Sequence, residues 1–280
     1  MNYKEKANWI KENNPFEKIT GKLVQVEVVK HETATTGNAF FAVNEKGRKF
    51  KYSFYDDKKT AIRVDNNVRK CPHLLPKYHG MHKSIVLFDW IEGSILTHMF
   101  SENQVYKLGL LYGEIHKLKD TIGSSSSKRK AEKVLQKFEE VCKNNPGLID
   151  LEIAEKAIKK FKDLIVHLNQ DIILEMNDAN PANIMENTNG KLTIVDEEAL
   201  NHNIKGRGFI GYLKNFDIPQ KKLFWKGYKK NHPNDYFTKD YESALHLFYL
   251  IKSFVHRFNK YGSDNSKTKK AYGHLKQLIK

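Results

Sequence analysis

Asp178, Asn183 and Asp196 are the residues of this 280-residue chain whose types and spacing could do chemistry. An apolar run, "DIILEM", delivers Asp178 into the loop "DANPAN", where Pro181 forbids a regular helix. Asn183 opens "IME", the "NTNG" turn follows, and the run Leu192–Val195 leads back to Asp196. A hairpin of that form returns Asp196 to the loop that holds the other two. Phosphoryl transfer needs such a set: a carboxylate to orient and deprotonate a hydroxyl, and oxygen ligands for a Mg²⁺ that carries nucleotide phosphates. The D-x-x-x-x-N spacing carries little by itself, since Asp196 and Asn201 repeat it by chance. Position at the ends of two strands gives it weight.

The elements around this set change character along the chain. Residues 22–29, 40–43 and 48–55 alternate as strands, with "NEKG" a turn between the last two, so the opening third predicts a small antiparallel sheet after a polar leader. Residues 58–71 predict an amphipathic helix stopped by Pro72, and 83–93 an apolar strand ending in an acidic, Gly-terminated segment. Helices follow from the Ser101 cap, after the "GSSSSKRK" linker, from about 150 to 169, and over most of the chain beyond Asp235. No internal repeat is evident.

Composition narrows the class. An apolar fraction of 40% allows a real core, and no run approaches the roughly 18–20 apolar residues of a membrane span. The N-terminal residues lack a secretory h-region, and Cys71 and Cys142 lack metal-ligand spacing, so the chain reads as cytoplasmic, without a disulfide framework or zinc site. The net charge of +15 favours anionic partners or an acidic membrane face, or is a lysine-biased, solvated composition. No nucleic-acid-binding signature accompanies it, so no nucleic-acid partner is expected.

The Asp178–Asp196 segment resembles the catalytic and metal loops of the aminoglycoside-phosphotransferase and choline-kinase branch of the protein-kinase-like superfamily, which includes kinases of lipopolysaccharide sugars. Asp178 falls on the catalytic Asp of the H-G-D-x-x-x-x-N motif and Asn183 on its Asn. Asp196 falls on the metal-binding Asp of I-D-[WF]-[ED], with Glu198 on the acidic fourth place. "VLFDWIEG" resembles the connector between lobes, and "LGLLYGEIHKLK" the helix ending in Leu-His, with His116 as its His. The order of segments matches over roughly residues 20 to 230.

The resemblance implies an α+β, two-lobed fold: a β-rich nucleotide lobe with the leader over 1–88, a hinge over 89–93 and a larger helical lobe over 94–280. It implies an ATP- and Mg²⁺-dependent phosphotransferase acting on a hydroxyl of a small molecule or glycan, with a minimal protein kinase or an inactive nucleotide-binding scaffold as rivals. ATP would lie against Phe88, Asp89, Trp90 and Ile91, with Lys51 on its phosphates, Asp65 as the partner of Lys51, and Asn183 and Asp196 on the metal. Lys49 shares a strand face with Lys51 and competes for that role. As side chains, Phe88, Trp90 and Tyr112 read as core rather than a stacking platform, and His116 as a packing or hydrogen-bonding residue. Lys221, Lys222, Lys229 and Lys230 fit either an exposed helix or an anionic acceptor.

Several positions depart from the family pattern. Met176-Asn177 replaces His-Gly, the phosphate-covering loop holds only Gly37, the helix over 58–71 has no Glu, and "IKGRGFIGYLKNF" lacks the usual Asp. No A-P-E segment follows Asp196, which favours a small acceptor over a protein.

Overall fold

Strand alternation at residues 49–54 organises the first lobe: Phe50 and Tyr52 are buried on one face while Lys51 and Ser53 face the other. The structure, a computed structural model, describes residues 1–29, 38–118, 127–145, 149–169, 172–178, 180–233 and 237–279. The segment with Gly37, residues 123–126 of the linker, and Asp235 lie outside them.

The first lobe comprises α1 (Tyr3–Asn13), the short α2 (Glu17–Thr20), β1 (Leu23–Val28), β2 (Ala39–Asn44), β3 (Lys49–Phe54), α3 (Lys58–Lys70), β4 (Tyr78–His82) and β5 (Ile85–Asp89). The strands form one antiparallel five-stranded sheet in the order β1-β2-β3-β5-β4. Ile10 of α1 packs with Phe40, Phe50, Tyr52, Ile85 and Leu87 on one face of this sheet. Ala61, Val64 and Val68 of α3 join Val86 and Phe88 on the other. β5 is thus covered on both faces, which is why its sequence is continuously apolar.

The polar leader, to which the sequence reading assigned no element, is helical. It forms α1 under a capping box in which Asn2 and Glu5 satisfy each other's backbone N–H groups, and Lys6 ties it to Asp56 at 3.0 Å. β4 was also unforeseen: it is an edge strand of half-exposed residues with no apolar alternation.

Trp90–Glu92 lead from the five-stranded sheet to β6 (Gly93–Ile95). The second lobe continues with α4 (Glu102–Lys117), α5 (Ser127–Asn144), α6 (Leu151–Leu164), β7 (Ile172–Met176), β8 (Ile184–Asn187), β9 (Leu192–Ile194), β10 (Leu200–Ile204), α7 (Ile210–Leu213), α8 (Ile218–Tyr228), α9 (Lys239–Tyr261) and α10 (Ser266–Ile279). α5, α6, α9 and α10 bury their own core of Phe138, Phe161, Phe248 and Phe254 among smaller residues. α4 and α8 cross so closely that a Cβ on Gly109 would lie 2.0 Å from the Phe224 carbonyl oxygen. Side-chain-free positions are required there. Among the described residues no helix is long and apolar enough to cross a membrane.

Candidate active site

Two small antiparallel pairings build the site. β8 and β9 pair with Ile184 opposite Ile194, and Val195 N–H donates to the Asn183 carbonyl at 2.9 Å. This register sets Asp196 beside Asn183. β7 pairs with β10 with Met176 opposite Leu200, and Asn177 N–H donates to the Ala199 carbonyl at 2.7 Å, which fixes the start of the loop that carries Asp178. Asn180 caps the turn Pro181–Asn183, and Asn183 Nδ2 approaches the Asp178 carbonyl at 3.4 Å. Asp178, Asn183, Asp196 and Lys51 all line one cleft of about 430 Å³. Val29, Ala39, Trp90, Ile91, Ile95 and Met185 give that cleft an apolar part of its lining.

The expected nucleotide contacts need one correction. Asp89, Trp90 and Ile91 line the cleft, but Phe88 does not. Phe88 pairs with Lys51 across β3 and β5, lies on the same sheet face, and is covered there by the α3 side of the core, with its ring 5.5 Å from Tyr78. Trp90 N–H is already used by the Lys49 carbonyl at 3.1 Å. Ile91 lines the cleft, and no backbone partner of its N–H is found among the described residues.

Lys51 and Lys49 diverge despite sharing a strand face. Lys49 ends in an exposed pair with Glu92 at 2.7 Å, whereas Lys51 is nearly buried and reaches the Val195 carbonyl and Glu197 Oε2, each at 2.6 Å. Its expected partner, Asp65, is elsewhere: it accepts from Arg69 Nε at 3.0 Å and from the Tyr78 hydroxyl. Asp65 sits one helical turn before Arg69, so the local i,i+4 pair takes it. Glu197 stands where a helix Glu was sought. Burial opposes its charge, but the Lys51 ammonium and its hydrogen bond keep the carboxyl below the usual range. The Tyr55 hydroxyl donates to Glu197 Oε1 at 2.8 Å, and burial together with that carboxylate raises the phenol far above its usual value. α3 meets the same segment differently: Asn67 Nδ2 donates to the Leu200 carbonyl at 3.0 Å, and Arg63 approaches Glu198 at 3.7 Å.

Asp196 lies in concentrated negative potential. Burial first, then Glu197, push its carboxyl up to about 6; Lys51 opposes this, and Glu198 and Asp178 add to it. A carboxylate so placed gains from a cation. Among the described residues no group of three or more His, Cys, Asp or Glu could hold a metal unaided. Mg²⁺ needs fewer, because water and phosphate oxygens complete its octahedron. Asn183 turns Nδ2 to the loop, so Oδ1 is its free donor atom, and with the Asp196 carboxylate it makes a hard-oxygen pair that fits this ion.

Behind the loop is a buried network that sequence reading located only in part. His116 bridges the Tyr228 hydroxyl at 2.8 Å and Glu175 Oε2 at 2.9 Å, and is a hydrogen-bonding residue as expected. Glu175 also accepts from Gly206 N–H at 2.6 Å and from Met176 N–H at 3.2 Å. The only signal for it was an acid inside an apolar strand. Met176 fills core, and Asn177 accepts from Asn203 Nδ2, so the two residues that replace His-Gly pack the strand and tie it to β10. Lys221, Lys222, Lys229 and Lys230 are exposed on and after α8.

Solved structures supply the comparison. The choline kinase LicA from Streptococcus pneumoniae superposes with a TM-score of 0.68 at 14% identity, over 99% of both chains. The macrolide 2'-phosphotransferase MphH from Brachybacterium faecium gives 0.69 at 11% identity, over 97% of this chain and 98% of that one. The GDP complex of aminoglycoside 2'-phosphotransferase-IIIa gives 0.66 at 13%, over 100% and 99%. The sequence matches no protein-family model and no curated protein. Likeness over whole chains, together with the sheet lobe and helical lobe seen here, establishes that this protein has the two-lobed, protein-kinase-like fold shared with these solved choline kinase and aminoglycoside and macrolide phosphotransferase structures.

Proposed function

We propose that the protein is an ATP-dependent phosphotransferase that moves the γ-phosphate to a hydroxyl of a small molecule or glycan. The observation that carries this reading is that Lys51, Asp178, Asn183 and Asp196, contributed by β3, by the one loop between β7 and β8 and by the segment after β9, line one cleft. The adenine would lie against the apolar lining, at Trp90, Ile91 and Met185. An ammonium has three N–H donors, of which Lys51 directs two at Val195 and Glu197, leaving one for the α/β-phosphates. Asn183 and Asp196 would hold Mg²⁺, which supplies charge neutralisation on the phosphate oxygens when bound. Asp178, exposed at the lip of the cleft, orients the acceptor hydroxyl and takes its proton. Positioning and electrostatics supply the rate.

After Asp196 the turn Glu197–Ala199 enters β10 at once, which favours a small acceptor over a protein that needs an activation segment. One observation favours an inactive scaffold instead: Lys51 is held by Glu197, not by a helix Glu. Thermal shift tests the nucleotide and metal half of the proposal. ATP should raise the Tm more with Mg²⁺ than with EDTA, following ligand concentration over Kd. Asp196→Ala should remove the metal-dependent part. Equal shifts with and without Mg²⁺ would reject Asn183 and Asp196 as metal ligands.

A further inference from the structure

The helical lobe gathers cations around Arg207, on which Asp178 acts, without acids to match. Gly206 takes a positive φ of +82°, and Gly208 lies so close to β7 that a Cβ there would sit 2.2 Å from the Met176 carbonyl oxygen. These two glycines let the chain double back after β10 and set Arg207 against the strand that leads to Asp178. Arg207 is 9% exposed, its guanidinium carbon stands 4.4 Å from the centre of the Tyr249 ring, and its Nε is buried without a hydrogen-bond partner. A buried guanidinium nitrogen left without a partner is costly.

Further cations converge on it. Lys214 Nζ lies 5.0 Å from the same Tyr249 ring. Lys130 of α5 and Lys252 of α9 are half-buried, and burial together with the Arg207 charge pushes both ammonium groups down to about 8. The acids acting on Arg207 are Glu175 and Asp178. The Glu175 carboxylate is already used by His116, Gly206 and Met176. Asp178 also acts on Tyr212, whose hydroxyl is buried without a partner. Arg207 and Lys214 thus share the Tyr249 ring, Lys130 and Lys252 lie near enough to Arg207 to feel its charge, and the proposed catalytic carboxylate is one of the two acids that act on Arg207.

Resting on the phosphotransferase reading, we propose that the acceptor is a hydroxyl compound that already carries a phosphate group, and that Arg207, Lys130, Lys214 and Lys252 hold that phosphate while its hydroxyl meets Asp178. A dianion in this position supplies the counter-charge the cluster lacks, and Arg207 offers it a planar donor edge. The exposed lysines of α8 are not needed for this.

Inorganic phosphate is the probe, added to the full chain with AMP-PNP and Mg²⁺ at saturation so that the nucleotide cleft is filled. Because Arg207→Ala removes a buried side chain and endangers the fold, the test variant is Lys214→Gln with Lys252→Gln. Lys11→Gln with Lys18→Gln, exposed on the first lobe, matches its loss of charge. Phosphate should raise the wild-type Tm beyond KCl of equal ionic strength, and the affinity drawn from that shift should fall about tenfold in the test variant and stay unchanged in the control. No phosphate-specific shift in the wild type, an equal shift in the test variant, or an equal loss in the control would each overturn the site. A missing AMP-PNP shift counts against the nucleotide reading alone.

Discussion

Glu197→Gln keeps the shape of the side chain but removes the charge that Lys51 faces at 2.6 Å, with side chains only 14% and 5% exposed. Removing one member of a buried pair costs about 3–5 kcal/mol, because the remaining charge stays desolvated. Lys51 is the more exposed partner and keeps the Val195 carbonyl, so Glu197→Gln should lie near the lower end, about 3 kcal/mol. Lys51→Met strands the Glu197 carboxylate with only the Tyr55 hydroxyl from the original pair of partners, and should cost about 4 kcal/mol. The double variant leaves no buried charge at this point, so its loss should be less than the sum by about 2–3 kcal/mol. Urea unfolding at pH 7 reads all three. Because the folded carboxyl of Glu197 is held below its ordinary value, its stabilising contribution is complete above the unfolded value of 4.5 and disappears as pH falls through the folded one. The coupling should therefore vanish in acid. Additive single variants at pH 7, to within about 0.5 kcal/mol, would refute the claim that Glu197 takes the place of a helix Glu.

Two other perturbations bear on the same account. Asp65→Ala should leave ATP affinity, measured by titration calorimetry, unchanged within about twofold, because its partners are Arg69 and Tyr78 rather than Lys51; a tenfold loss would return it to the phosphate site. Lys130 and Lys252 have folded values near 8 against an ordinary 10.5, so between these the unfolded chain binds more protons and stability should rise with pH. Against Lys130→Gln with Lys252→Gln, denaturation at pH 7.5 to 9.5 should show the wild type gaining up to about 1 kcal/mol per pH unit per lysine, screened by partial exposure. A flat difference would contradict the crowding of these cations.

The meeting of Asp178, Asn183 and Asp196 was legible because strand, turn and strand lengths leave a hairpin little choice of register, and the observed Ile184–Ile194 pairing follows it. Period-two alternation placed Lys51 on the correct face and could not separate it from Lys49; only the approach of Val195 and Glu197, nearly 150 positions away, does that. Glu197 itself was hidden by its neighbours, since one more acid in "DEE" carries no local sign of burial. Asp65 was misread because an amphipathic helix shows which residues share a face, not which partner lies across from it. The reading of the Phe88 side chain as core holds, and only its place among the nucleotide contacts fails, because the cleft lining begins one residue later, at Asp89. Helix α1 was missed because its buried face rests on Ile10 and few others, too narrow a stripe to register as periodicity.

Transfer of labelled γ-phosphate from ATP, with Mg²⁺, to a panel of phosphorylated and neutral sugars and amino alcohols tests the central claim most directly, with wild type and Asp178→Asn side by side. The amide is nearly isosteric and cannot take a proton. MgATP binding should therefore persist while turnover on the preferred acceptor falls by about 10²–10⁴. Wild-type transfer left unchanged by Asp178→Asn, or no transfer to any acceptor by a protein that binds MgATP, would contradict it.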